Sequence, residues 1–191
     1  KPLWRPDDAR VRAARITDYQ GYLARSRELR FGDYHALWRW SVDDPGAFWD
    51  SIWDYFAVVG KRGDGPALAR AAMPGALWFP GATLNYVDQV FRHATTARPA
   101  IVAGREGDVL SELSWSELER RVGALAAALR ARGVVRGDRV AAFLPNSPEA
   151  VIAFLATASI GAIWSLCSPD MGAPSVLELG QKKLVAENFL G

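Results

Sequence analysis

The feature that most constrains this chain is a run without charge. From Ala150 to Cys167, 18 consecutive residues include no Asp, Glu, Lys or Arg. That length touches the lower bound for a membrane-spanning helix. Thr157, Ser159, Gly161 and Ser165 interrupt the run, and Gly161 divides it into a helix-like half and a strand-like half. A buried helix followed by a buried strand is the better reading, and no membrane span is expected. Upstream, Gly137-Asp138 turns the chain into an apolar strand over 139–144, which Pro145-Asn146 ends. Ser147-Pro148-Glu149 opens the helix, a capping residue followed by proline at the first helical position. Strand, helix and strand within 30 residues make a βαβ unit. Its strands are expected to run parallel with a right-handed crossover. Being apolar throughout, they fit a sheet covered on both faces.

Before this unit, apolar Ala100–Ala103 and alternating Val109–Leu113 flank Gly104-Arg105-Glu106-Gly107-Asp108, the pattern of a hairpin. Ser114-Trp115-Ser116-Glu117 is a capping box, with serine as cap and glutamate three residues on. Leu118, Val122, Leu125 and Leu129 then repeat on one helical face, and Gly133 suits the position after the helix end.

Residues 1–85 differ in character. They hold six of the eight tryptophans and no convincing long strand. Thr17 is expected to cap a helix that places Tyr19, Tyr22 and Leu23 on one face. A second helix spans 34–41 and carries Trp38. Asp44-Pro45 starts a third, whose broad aromatic face is Phe48, Trp49, Ile52, Trp53 and Phe56. Helical spacing explains that stripe as core-facing rather than as a ligand box. Gly60-Lys61-Arg62-Gly63-Asp64-Gly65-Pro66 reads as an exposed loop. It lacks the spacing of a phosphate-binding loop, and no apolar helix follows to aim its N-terminus back. Met73 to Tyr86 is dense in Pro and Gly around Trp78-Phe79 and reads as an extended arm pinned by those two rings, with a helix through Val87, Val90 and Phe91 after it.

Composition removes several function classes. About half the residues are apolar, which argues against global disorder. Lys plus Arg exceed Asp plus Glu by only two (23 − 21), so no nucleic-acid partner is expected. The one cysteine, Cys167, excludes an internal disulfide and a cysteine zinc site and fits a reducing, cytoplasmic compartment. It reads as a small buried hydrophobe rather than a nucleophile, since neither His35 nor His93 is near it in sequence. No metal-binding or carboxylate-pair constellation stands out. Ligands of open parallel sheets bind beyond the carboxyl ends of the strands, here Pro145-Asn146-Ser147 and Leu166-Cys167-Ser168-Pro169-Asp170. As loops alone, these segments favour an ordinary connection over ligand contact.

Met73-Pro-Gly-Ala-x-Trp-Phe-Pro-Gly-Ala-x-Leu-Asn-Tyr86, Tyr34-x-x-Leu-Trp-x-Trp-Ser-Val42 and Phe48-Trp-x-x-Ile-Trp-x-Tyr-Phe56 resemble the N-terminal part of the acetoacetyl-CoA synthetase family. Gly137-Asp-Arg-Val-Ala-Ala-Phe-Leu-Pro-Asn-Ser-Pro-Glu-Ala150 and Gly161-Ala-Ile-Trp-Ser165 resemble the opening βαβ of adenylate-forming enzymes generally. The resemblance implies an α/β fold: a helical, Trp-rich N-terminal cap and Pro/Gly-rich arm at 1–85, then the first βαβ part of an adenylate-forming domain, with an incomplete sheet, at 86–177. Residues 178–191 depart from the family: Glu178-Leu-Gly-Gln-Lys-Lys183 stands where an Arg-Phe-x-Gln-Ile-like continuation is expected.

By resemblance, the activity is ligation of acetoacetate to CoA with ATP and Mg²⁺, through an acyl-adenylate. The chain reads as the front of such an enzyme and inactive alone, because the Ser/Thr/Gly-rich phosphate loop and the late lysine of the family are not in its sequence. Other readings are another short-chain acyl-CoA synthetase and a noncatalytic module that self-associates through an unfinished sheet edge. In acetyl-CoA synthetase relatives, Phe-Gly-Gly ahead of Phe-Ser-Pro lies near CoA. Trp164-Ser165-Leu166 precedes Cys167-Ser168-Pro169 here, so the resemblance points to Trp164, Ser165 and Leu166 as the CoA vicinity. Leu166 stands where a glycine would allow close backbone approach.

Overall fold

The computed structural model describes residues 3–104, 107 and 109–171, in two compact units divided between Thr83 and Leu84. Arg105, Glu106 and Asp108 of the expected hairpin turn lie outside the described residues, as does all of 178–191.

The first unit contains α1 (Asp8–Ala13), α2 (Arg15–Ser26), α3 (Tyr34–Asp43), α4 (Pro45–Tyr55) and the short strands β1 (Leu68–Arg70) and β2 (Leu77–Trp78). Asp7, Asp33 and Asp44 cap α1, α3 and α4, each accepting a backbone N–H from three residues on. Thr17 is not the cap expected of it. α2 begins at Arg15 after an Ala14 cap, because α1 runs directly into it. The Thr17 hydroxyl instead donates to the carbonyl of Val11 at 2.7 Å.

Tyr19, Leu23 and Leu37 form the buried centre of this unit, with Phe48 and Ile52 packed against them. The aromatic stripe of α4 has two destinations. Phe48 and Ile52 enter that core, whereas Trp53 lies 5.0 Å from the Phe79 ring and Trp49 lies 6.3 Å from Trp78. The stripe is too broad for one core: Trp49 and Phe56 stay about half exposed. The arm is therefore pinned by Trp78 and Phe79, as the sequence suggests. It is also paired: β1 and β2 are antiparallel, and Lys61 and Thr83 exchange two backbone hydrogen bonds of 2.7 Å.

A charged group closes the unit. Arg27 donates to Asp50 at 2.7 Å and to Asp54 at 2.5 Å, and Arg62 donates to the other oxygen of Asp50. Burial works against an ionised Asp50. The hydrogen bonds from Arg27 and Arg62 and their charges outweigh it and hold the carboxyl below its ordinary range. Nearby, the fully buried Ser51 hydroxyl donates to the carbonyl of Phe48 at 2.7 Å. Its single proton is thus committed, so in the 2.5 Å contact with Tyr19 the phenol is the donor.

The second unit contains α5 (Tyr86–Phe91), β3 (Ile101–Ala103), β4 (Ser111–Leu113), α6 (Trp115–Ala131), β5 (Arg139–Phe143), α7 (Pro148–Ser159) and β6 (Ile163–Cys167). β3 and β4 are the expected antiparallel pair, in the register Ile101↔Leu113. β5 and β6 are parallel, from Arg139↔Ile163 to Phe143↔Cys167. Leu118, Val122, Ala126 and Leu129 of α6 and Ile152, Leu155 and Ala156 of α7 pack with Val140 and Trp164 into one core. Val140, Ala142, Trp164 and Leu166 share that face of the strand pair by alternation. On the other face Ile163 and Phe143 remain 55% and 49% exposed. Ala141 and Cys167 on that face are nonetheless buried, at 7% and 3% exposed, so its coverage among the described residues is partial. Their two long helices, α6 and α7, join a single core, and that core takes Val140 and Trp164 from one face only.

The helix ends follow backbone accounting. Ser114 Oγ accepts the N–H of Glu117 at 3.2 Å. Only this half of the expected capping box forms, because the Glu117 carboxylate turns to Arg120 and Arg121 at 2.6–2.7 Å. These bonds, from Arg120 first and then Arg121, pull the Glu117 carboxyl down to about 2. Ser147 caps α7 by position alone. Its carbonyl accepts the N–H groups of Ala150 and Val151, and its hydroxyl makes no capping bond. At the end of α6, Gly133 has φ +81°; its N–H bonds to Arg130 and that of Val134 to Leu129, the paired closure of a Schellman motif. α7 ends with the same pair of bonds, Gly161 to Ala158 and Ala162 to Thr157.

Asn85 ties the start of this unit to that end. Its Oδ1 accepts the N–H of Val87 at 2.9 Å and caps α5. Its Nδ2 donates to the carbonyl of Ser159 at 3.1 Å, which the last turn of α7 leaves open, and shares that of Ala158, at 3.2 Å, with the Gly161 N–H.

Three measurements test these assignments. Ser51→Ala leaves a buried phenol without an acceptor and is expected to cost about 1–3 kcal/mol in chemical denaturation. Adding Tyr19→Phe to it should recover part of that loss, and strict additivity of the two would contradict the pairing. Asn85→Asp exchanges a donating amide for a carboxylate facing two carbonyls, so it should destabilise the chain more than Asn85→Ala does; the reverse order contradicts the clasp. The Glu117 pKa is depressed in the fold, so its contribution to stability is present above the unfolded value near 4.5 and is lost as pH falls towards about 2. NMR titration should place the Glu117 midpoint near the lower value, and Arg120→Gln should raise it. A midpoint at the ordinary value contradicts the ion pair.

Candidate functional site

The positional argument from the sequence leads to the carboxyl edge of β5 and β6. Parallel pairing brings the two strand ends side by side, since Phe143 is opposite Cys167. The ladder runs one residue further, with the Leu144 N–H donating to the carbonyl of Cys167 at 3.2 Å. After β6 the chain turns sharply: the Met171 N–H donates to the carbonyl of Ser168 at 2.9 Å. Inside that turn the Ser168 hydroxyl donates to Asp170 at 3.0 Å. The edge thus presents the exposed Pro145 and Asn146 beside the Ser168–Asp170 turn, with Leu166 40% and Met171 46% exposed.

Trp164, Ser165 and Leu166 all lie within β6, not in the loop beyond it. They oppose Val140, Ala141 and Ala142 respectively. Trp164 is partly buried against the α6–α7 core, so its indole serves packing. Ser165 faces the opposite side of the sheet by alternation and is half-buried. Leu166 returns to the Trp164 side but lies near the strand end and is open to solvent. Of the three, Leu166 is the side chain a ligand at this edge can reach. Cys167 is 3% exposed, in keeping with a small core residue.

Other sequence candidates are accounted for by the fold. The Gly60–Pro66 loop is not a phosphate cradle. The Arg62 guanidinium is held by Asp50 and sits 5.4 Å over the Phe79 ring. Gly63, with φ +81°, backs so closely on this segment that a Cβ there would lie 2.5 Å from the Pro80 carbonyl oxygen. His35 is exposed on α3 beside the Tyr34 ring, and His93 is exposed just after α5. No group of three or more His, Cys, Asp or Glu able to hold a metal ion occurs among the described residues. No described helix is long and apolar enough to cross a membrane.

Sequence reasoning did not find the Arg27–Asp50–Arg62 group or the double role of Asn85. The ion group joins residues 23 and 12 positions apart, beyond any local pattern. For Asn85 a signal existed, an asparagine directly before an apolar helical pattern, but it reports the α5 cap and not the bonds to α7.

Two family descriptions match the chain, and together they follow its order. The N-terminus of acetyl-coenzyme A synthetase matches residues 34–90, and the AMP-binding enzymes match residues 89–179. The acetoacetyl-coenzyme A synthetase of Rhizobium meliloti (strain 1021) is 40% identical over 178 residues, covering 93% of this chain and 27% of that protein. The acetoacetyl-CoA synthetase of Xenopus tropicalis is 36% identical over 183 residues, again covering 93% and 27%. The solved acetoacetyl-CoA synthetase from Streptomyces lividans superposes with a TM-score of 0.87 at 45% identity, over 95% of this chain and 28% of that one. The chain spans about a quarter of the length of these relatives. In sequence and in fold the chain is homologous to the N-terminal portion of acetoacetyl-CoA synthetases.

Proposed function

We propose that this chain forms the N-terminal part of an acetoacetate–CoA ligase and is inactive on its own. The supporting observation is identity of 36–45% with acetoacetyl-CoA synthetases sustained over more than nine-tenths of the chain. In this reading the acetoacetate carboxylate attacks the α-phosphorus of ATP, forming an acyl-adenylate and releasing pyrophosphate. The CoA thiolate then attacks the acyl carbon; the C–S bond forms, and the bond to the AMP oxygen breaks. The Ser/Thr/Gly-rich phosphate loop of the family is not in this sequence, and the basic glycine loop is filled by its own packing. Mg²⁺ and the ATP phosphates are accordingly assigned to other parts of the enzyme, and the partners are the small molecules acetoacetate, ATP and CoA. A cytoplasmic setting fits the single buried thiol.

What these residues contribute is a framework. α7 and β6 hold the carboxyl edge of the strand pair, and we assign CoA to the neighbourhood of Trp164, Ser165 and Leu166 on that edge. Within that neighbourhood Trp164 anchors the strand to its core and Leu166 meets the ligand. A second reading, a noncatalytic module that self-associates, draws on the exposed Ile163 and Phe143 of the partly covered sheet face. Light scattering on the purified chain separates the two readings: a defined oligomer favours the module.

The test of the first reading is kinetic. The 191-residue chain alone should release neither pyrophosphate nor AMP with acetoacetate, ATP and CoA. The complete enzyme should show a higher kcat/KM for acetoacetate than for acetate or butyrate. Turnover by the chain alone, or a preference for acetate or butyrate, contradicts the proposal. In the complete enzyme Leu166→Asp should raise the KM for CoA about 10-fold, equivalent to ~1.4 kcal/mol. An unchanged KM removes CoA from this edge.

A further inference from the structure

We draw no further inference here: the strongest candidate, the apolar groove between α2, α3 and α4 lined by Ile16, Tyr34, Trp38 and Phe56, is an exposed face for which nothing in the structure shows what covers it.

Discussion

Burial of one face of a parallel strand pair beneath two helices organises the second unit. Val140 and Trp164 rise from β5 and β6 into a layer built by Leu118, Val122 and Leu129 of α6 and Ile152 and Leu155 of α7. Each of these side chains contributes roughly 1.5–3 kcal/mol when fully withdrawn from water. A parallel pair cannot close through a tight turn, so α7 is both the connection and the cover. The pairing of the strand ends, and with it the edge assigned to CoA, exists only because this layer fixes where α7 starts and stops.

The ends of the two long helices show how that positioning is achieved. Both α6 and α7 finish in Schellman closures, and each delivers the chain towards a β-strand. Asn85 then satisfies the carbonyl of Ser159, which the closure leaves open, and adds a second donor to that of Ala158. Buried polar groups left without partners cost more than a made hydrogen bond returns. One asparagine thus fixes α5 against the end of α7. In the helical unit a comparable role falls to Asp50, whose two oxygens take Arg27, just after α2, and Arg62 from the glycine loop.

The βαβ unit was legible in the sequence because its signals are local: proline after a cap, glycine after a helix, and an uncharged run broken at Gly161. The Phe48–Phe56 stripe was legible as a helix but not in its division between two sets of partners. Periodicity gives the face of a helix and says nothing of how many surfaces will compete for it. Thr17 misled because α1 runs directly into α2, which leaves its hydroxyl to bond back across the junction to Val11 of α1. The capping box at Ser114 formed by half, since two arginines one turn on offered Glu117 stronger, charged partners. At the candidate site, spacing indicated the strand ends. It did not show that Trp164 is committed to the core while Leu166 is left at the surface. That difference depends on which face α6 and α7 cover.

In the account proposed above, this chain is scaffold and CoA-side edge rather than phosphate machinery. That account requires the β5–β6 pair to be firmly formed in the chain. Amide hydrogen exchange tests this directly. The Val140, Ala142, Ile163 and Ser165 amides, including the Ile163 N–H that donates to Asp138 at 2.7 Å, should be among the slowest to exchange in the molecule. Exchange of these amides as fast as that of the exposed 96–98 loop would contradict the account.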